Sequence, residues 1–315
     1  MKHNSNFLPI MTPSDLYNDF ALSYPISASF LTWWPFFLLI VCAAILPGLV
    51  MRIFRRVVSA KQQHLTYALR TLQIVPYYQP VLDVVSGGVY GAEVLVRWKR
   101  TNGTLSLPDE FVPLAQESGL LIPMTRMLLE QVERDMLALR LRLPRVFHIG
   151  LNVCVTVDML SGMKDAFIHF QRSLPGHVRL TLELLEHDSA ETGTELTLLL
   201  SQLRATGILI ALGDFGTGSN SLDRLACLPA DIIKIDKSIV AALGEGNESR
   251  CALDEIIQMA QQKNVAIIAE GIETELQHSC LLRKGVALQQ GYYWSTPLSF
   301  EQFSHYIIQS SETLR

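Results

Sequence analysis

From Val75 to the C-terminus, short runs of β-branched and aromatic residues alternate with longer stretches in which apolar residues recur every three or four positions. The short runs predict strands near 76–82, 90–97, 147–154, 178–184, 208–213, 231–235, 265–269 and 287–293. The amphipathic stretches between most of them predict helices, among them 122–141, 192–206, 250–263 and 299–309. Alternation of this kind is the pattern of βα units around a parallel sheet. About eight strands over about 240 residues fit a closed (β/α)8 barrel better than two small sheets.

Upstream the pattern changes. No charged residue occurs from Phe20 to Met51, and the part from Phe30 is almost wholly apolar. About 22 such residues at about 1.5 Å each match the hydrocarbon thickness of a bilayer. Trp33 and Trp34 stand near its start, and Arg52, Arg55, Arg56 and Lys61 come after its end. The basic flank orients the C-terminal part of the chain toward the cytoplasm. The expected organisation is a short extracytoplasmic tail (1–25), one membrane helix (26–51), a juxtamembrane helix read as a solvated linker (52–74) and the barrel domain (75–315). The short tail also fits a larger two-helix sensor that has lost its outer domain.

Composition narrows the partners. The chain has 315 residues, 49% of them hydrophobic, and carries 26 basic and 30 acidic residues for a net charge of −4. No overall basic excess is present to hold a DNA or RNA duplex, whereas a small anion remains compatible. The five cysteines (Cys42, Cys154, Cys227, Cys251 and Cys280) are widely spaced and never form CxxC, so they read as free thiols in a reducing compartment.

Polar residues recur where the predicted strands end. Glu93 lies in YGAEVLVRW, Asn152 closes FHIGLNV, Glu183 closes RLTLE, and Asp214 comes after GILIALG. Lys234 lies in DIIKID, Glu270 closes VAIIAE, and Gln290 falls in ALQQGYY. The C-terminal strand ends of such a barrel meet on one face, so these side chains are expected around one cleft. Carboxylates with an amide oxygen, and no His or Cys among them, suit Mg²⁺ or Mn²⁺ rather than zinc. A divalent site beside a lysine suits phosphodiester hydrolysis, although metal-dependent lyases on the same barrel can use similar ligands.

The same residues carry a family resemblance. YYQPVLDVVSGGVYGAEVLVRW, with Glu93, Val94 and Leu95 at the signature tripeptide, resembles the opening of EAL-domain cyclic-di-GMP phosphodiesterases. FVPLAQESGLL, LNVCV, LTLELLE, GDFGTGSNSL, ADIIKIDKSIV, AEGIET and QQGYYWSTPL succeed it in the family's order, from about Val75 to Leu298. The resemblance implies two Mg²⁺ or Mn²⁺ ions, with Glu93, Asn152 and Glu183 ligating the first and Asp214 the second. It implies that Lys234 orients the attacking water, that Glu270 is a metal ligand or general base, and that Glu273 supports the arrangement. Arg97 would face a phosphate, Gln290 would line the site, and Gln79 and Glu117 would stand on the substrate side. Glu186 would hold the GDFGTG loop, which in the family couples the site to a dimer interface. The resemblance also implies a homodimer, placed by the apolar span in the bacterial inner membrane with the barrel in the cytoplasm.

The chain departs from the family where two adjacent aspartates precede FGTG. The first is Gly213 here, so one anionic metal ligand is missing; Ser219 and Cys154 are further departures. Two functions stay open. One is hydrolysis of one phosphodiester of cyclic-di-GMP to linear pGpG; the other is a receptor or interaction module that binds the nucleotide or a protein without turnover.

Overall fold

The computed structural model describes residues 60–184, 193–216, 221–244 and 247–313, with the isolated positions Leu39, Val41 and Leu46. The expected tail and nearly all of the expected membrane segment lie outside these residues, as do Glu186 and Ser219. No helix among the described residues is long and apolar enough to cross a membrane.

Nine strands are described: β1 (Ile74–Asp83), β2 (Gly88–Lys99), β3 (Leu105–Ser106), β4 (Phe147–Val153), β5 (Val178–Leu184), β6 (Leu209–Phe215), β7 (Ile232–Ile235), β8 (Ala266–Ala269) and β9 (Leu288–Gln289). The order β1-β9-β8-β7-β6-β5-β4-β2 is closed by the pairing of β1 with β2, which makes an eight-stranded barrel; β3 is appended to β2 outside the ring. Helices Leu121–Leu139, Val157–Ser173, Thr194–Arg204 and Asn247–Lys263 separate successive parallel strands, as the 3.6-residue periodicity requires.

The barrel is not all-parallel. β1 runs antiparallel to both of its neighbours, β2 and β9, while the other seven strands of the ring are parallel. The cause lies in residues 84–87, a connection too short for the crossover helix that parallel neighbours need. Asp83 instead caps a tight turn through the Val85 and Ser86 amides, and Gly87 takes φ 73°. The last expected strand, 287–293, shrinks to Leu288–Gln289, because the chain turns at Gly291.

Two apolar layers result from strand alternation. Phe147, Ile149, Leu151 and Val153 of β4, with Leu180, Leu182 and Leu184 of β5, face the helices and join the large outer core. Val81, Ala211, Ile232 and Ile268 form a separate cluster inside the barrel, joined by Tyr90 and Leu288. Tyr90 belongs there because the β1–β2 register shifts after Val81.

A third cluster corrects the expected linker. Leu65 and Ala68, on a helix at residues 60–70, are fully buried with Ile74, Trp98, Phe111 and Ala115. The segment just before the barrel is therefore packed against it rather than solvated.

Candidate active site

The site is one storey of the barrel interior. Each strand of the ring has a residue in a lower layer: Val81, Gly91, Gly150, Thr181, Ala211, Ile232, Ile268 and Leu288. All but Leu288 border one small cavity of about 20 Å³. Because side chains alternate, the residue two positions nearer the mouth points the same way. Those residues are Gln79, Glu93, Asn152, Glu183, Gly213, Lys234, Glu270 and Gln290. Seven of the eight are polar, and they include most of the residues singled out in the sequence. Gly213 is the exception.

Lys234 is the hub. It is 2% exposed, and its Nζ lies 2.8 Å from Glu93 Oε2, 2.6 Å from Glu270 Oε1, and in contact with Glu183 Oε2. An ammonium has three N–H donors, so three carboxylates occupy all of them. In this arrangement Lys234 holds the carboxylates together and has no donor left for a water. Glu93 also accepts from Asn152 Nδ2 at 2.6 Å and Gln290 Nε2 at 2.9 Å. Gly150 makes room for this layer, since a Cβ there would collide with Glu183 Oε1. Sequence reasoning missed Gly150, although a glycine two residues before a strand-end asparagine is the available signal.

The charges do not balance. Carboxylate oxygens of Glu93, Glu183 and Glu270 lie within 4.8 Å of one another, with one ammonium among them. Burial raises the Glu93 carboxyl, but the Lys234 charge and the donors from Lys234, Asn152 and Gln290 outweigh it and hold Glu93 below the usual carboxylate range. Glu183 is pushed up to about 8, by burial first and the Glu93 charge second. Glu270 is raised by burial and by Glu93, against the pull of Lys234. The Lys234 ammonium is held well above its ordinary value, because its three carboxylates overcome burial. A cluster that drives one of its own carboxyls toward protonation fits a further cation. All-oxygen donors suit Mg²⁺ or Mn²⁺.

The rest of the sequence-predicted set divides. Gln79, Glu93, Glu270, Glu273 and Gln290 border one cleft of about 310 Å³. Within it Gln79 is tied to the Ser295 carbonyl at 3.2 Å, while Glu273 is exposed at the rim. Arg97 shares its face of β2 with Glu93 and Leu95, half-buried, its guanidinium 6.0 Å from the centre of the Tyr77 ring. Asp214 is half-buried at the left-handed φ of 50°, and its charge contributes to raising Glu270. Gly213, one residue earlier, is buried within β6. Glu117 is exposed on the last turn of helix Val112–Glu117 and borders neither the cleft nor the apolar cavity beside it. Its neighbour Gln116 does border that cavity, of about 340 Å³, together with Leu95, Asn152 and Cys154.

Comparison with known proteins is consistent with this geometry. The family model described as the EAL domain matches residues 62–297. The chain is 37% identical over 266 residues to the probable cyclic di-GMP phosphodiesterase PdeG of Escherichia coli strain K12, covering 84% of this chain and 52% of that protein. It is 35% identical over 240 residues to the cyclic di-GMP phosphodiesterase PdeL of the same organism, covering 76% and 66%. It thus spans about half to two-thirds of the length of these curated relatives. Among solved structures, the PaMucR phosphodiesterase in complex with c-di-GMP superimposes with a TM-score of 0.69 at 30% identity, covering 78% of this chain and 99% of that one.

Proposed function

The chain belongs to the EAL domain family, and from that membership we propose that it hydrolyses one phosphodiester of cyclic-di-GMP to linear pGpG with Mg²⁺ or Mn²⁺. The observation that carries this reading is the convergence of Glu93, Glu183 and Glu270 on Lys234, with Glu93 and Glu270 bordering the cleft and Arg97 on the same face of β2 as Glu93.

Position suggests the roles. Arg97 offers a planar fork of donors to a phosphate, a bidentate match that lysine does not make. The Glu270 side chain is 22% exposed against 11% for Glu93 and 6% for Glu183, so it is the carboxylate turned toward the cleft. Its raised pKa suits it to accept a proton from the attacking water. The water oxygen bonds to phosphorus, the bond to one ribose 3′ oxygen breaks, and that oxygen leaves as the hydroxyl of the linear product. Glu93, Glu183, Asn152 and Asp214 would hold divalent ions, which when bound would polarise the phosphoryl oxygens and neutralise charge developing on them. Lys234, Gln290 and Asn152 keep Glu93 ionised and in place.

Gly213 favours a second reading. With it β6 brings one carboxylate, Asp214, to this level where the family pattern has two, which fits a receptor that binds the nucleotide without turning it over. Full-length protein in detergent, assayed for pGpG with Mg²⁺ or Mn²⁺, separates the two. Metal-dependent product that Glu93→Ala abolishes supports the enzyme; binding without product supports the receptor; neither binding nor product removes both.

The proposal includes location and assembly. The uncharged span from Phe20 to Met51 and the arginines after it support a single-pass inner-membrane anchor with the barrel in the cytoplasm. A C-terminal reporter active only in the periplasm would overturn it. The homodimer implied by family membership is checked by sedimentation of the detergent-solubilised chain.

A further inference from the structure

Three aromatic residues come directly after Gly291, and only the second and third are packed. Tyr293 meets the Glu275 carboxylate through its hydroxyl and stacks with His278 at 5.7 Å, and Trp294 packs edge-on to Tyr293 at 4.7 Å and to His278 at 5.0 Å. Tyr292 is 63% exposed and borders the cleft that holds Glu93, Glu270 and Gln79.

Its backbone is clamped. Ile272 N donates to Gln290 O at 3.1 Å, Tyr293 N donates to Ile272 O at 2.9 Å, and Trp294 N donates to Gly291 O at 3.0 Å. A Cβ on Gly291 would run into the Ile272 backbone, so the strand end lies directly on that loop. A large ring on a fixed backbone, left in water at the mouth of a polar cleft, is pre-organised to cover a flat partner at little ordering cost. Around the rim, β9 precedes β1 and β1 precedes β2, so Tyr292 and Arg97 come from strands with β1 between them, close enough for the Tyr292 phenol to contribute to the charge environment of Arg97.

We propose that Tyr292 is a stacking surface for one purine base of the ligand, setting affinity while Arg97 fixes a phosphate. This rests on the cyclic-dinucleotide reading of the same cleft and adds the residue that recognises a base. Base–aromatic stacking is worth enough to shift binding by about tenfold to a hundredfold.

The test uses full-length protein in detergent. Binding of cyclic-di-GMP with Ca²⁺ is measured by calorimetry, and kcat and KM with Mg²⁺ where turnover occurs. Tyr292→Ala is expected to weaken binding at least tenfold and to raise KM with kcat largely kept, while Tyr292→Phe behaves as wild type. A cyclic dinucleotide carrying 2-aminopurine should be quenched by the wild type and by Tyr292→Phe, and not by Tyr292→Ala at saturating protein. A purely structural role for the ring would not produce that signature. Wild-type binding with Tyr292→Ala within twofold of it, or Tyr292→Phe as weak as Tyr292→Ala, overturns the role of the ring face. Failure of the wild type to bind overturns the cyclic-dinucleotide reading and this inference with it.

Discussion

Two storeys of one barrel, a single alternation step apart, have opposite chemistry. The lower layer is small or apolar except for Thr181, and it closes on a cavity of about 20 Å³. The upper layer places three carboxylates and an ammonium in a space that is closed at Glu183, 4% exposed, and opens to the cleft at Glu270. The mostly apolar storey makes the charged one effective, because charges backed by low-dielectric side chains are screened little and interact strongly. It also makes the upper storey intolerant of loss, since an unpaired buried charge has no water to turn to.

The sharpest way to break the contrast is to remove the hub. Lys234→Met leaves Glu93, Glu183 and Glu270 without their common partner. The variant should lose about 3–5 kcal/mol of stability. Part of the loss should return with saturating Mg²⁺ through binding to the folded state. Thermal unfolding with and without the ion checks this, and a Tm that is unchanged in chelator would sink it.

The barrel floor offers the next largest effect. His148 stacks on Tyr90 with ring centres 4.2 Å apart, and burial, aided by the Arg179 charge, lowers its pKa from 6.5 to about 4. A folded pKa below the unfolded one means that the folded state binds fewer protons between those values. Stability should therefore fall as pH drops from about 6.5 through about 4, by at most about 3 kcal/mol. His148→Phe keeps the stack and removes the titration, so its Tm should vary less across that window. Parallel Tm–pH curves for the two proteins would refute the assignment.

Gly150→Ala sharpens the comparison at the boundary between the storeys. The added methyl meets Glu183 Oε1, so the carboxylate must move or the strand must yield, at a cost of about 1–3 kcal/mol. Catalysis or Ca²⁺-dependent nucleotide binding should suffer more than stability does. A variant with wild-type function would show that the position of Glu183 is not critical. The smallest effect is expected from Gly213→Asp, which completes the upper ring. If that gap limits turnover, hydrolysis should rise about tenfold, which is about 1.4 kcal/mol of transition-state stabilisation. Left-handed backbone falls on Asp214 (φ 50°) and not on residue 213, although both lie at the register shift of β6. A folded, nucleotide-binding variant with no gain would clear Gly213 of blame.

Much of the upper storey is legible in the sequence because strand ends announce themselves. A polar residue closing an apolar run, as in FHIGLN, RLTLE or VAIIAE, has few ordinary reasons to be there, and Asn152, Glu183 and Glu270 stand out in that way, while Glu93 and Lys234 stand out as charges inside apolar strands. Partnership is not legible. That Lys234 contacts three carboxylates, or that Gln79 is tied to Ser295, depends on strand registers and side-chain reach that no local pattern encodes. The direction of β1 escapes the pattern although Ser86, Gly87 and Gly88 spell a tight turn, because alternation alone does not distinguish a parallel strand from a hairpin partner. Gly150 and Tyr292 escape because the importance of each lies in a neighbour distant in sequence.

The reversed first strand has a consequence for where the chain enters the barrel. A strand running against its neighbours begins at the rim where they end, so the chain enters the domain on the side of the cleft that Glu93 and Glu270 border. Leu65 and Ala68 dock there against Trp98 and Phe111, with Gln73 O accepting from Lys99 N at 2.8 Å, two residues beyond Arg97. Leu65 and Ala68 are therefore closer along the chain to the hairpin that carries Arg97 than to any carboxylate of the cluster. The segment that leads into the barrel is thus built into its mouth, a barrel's height away from the floor that Tyr90 and His148 line.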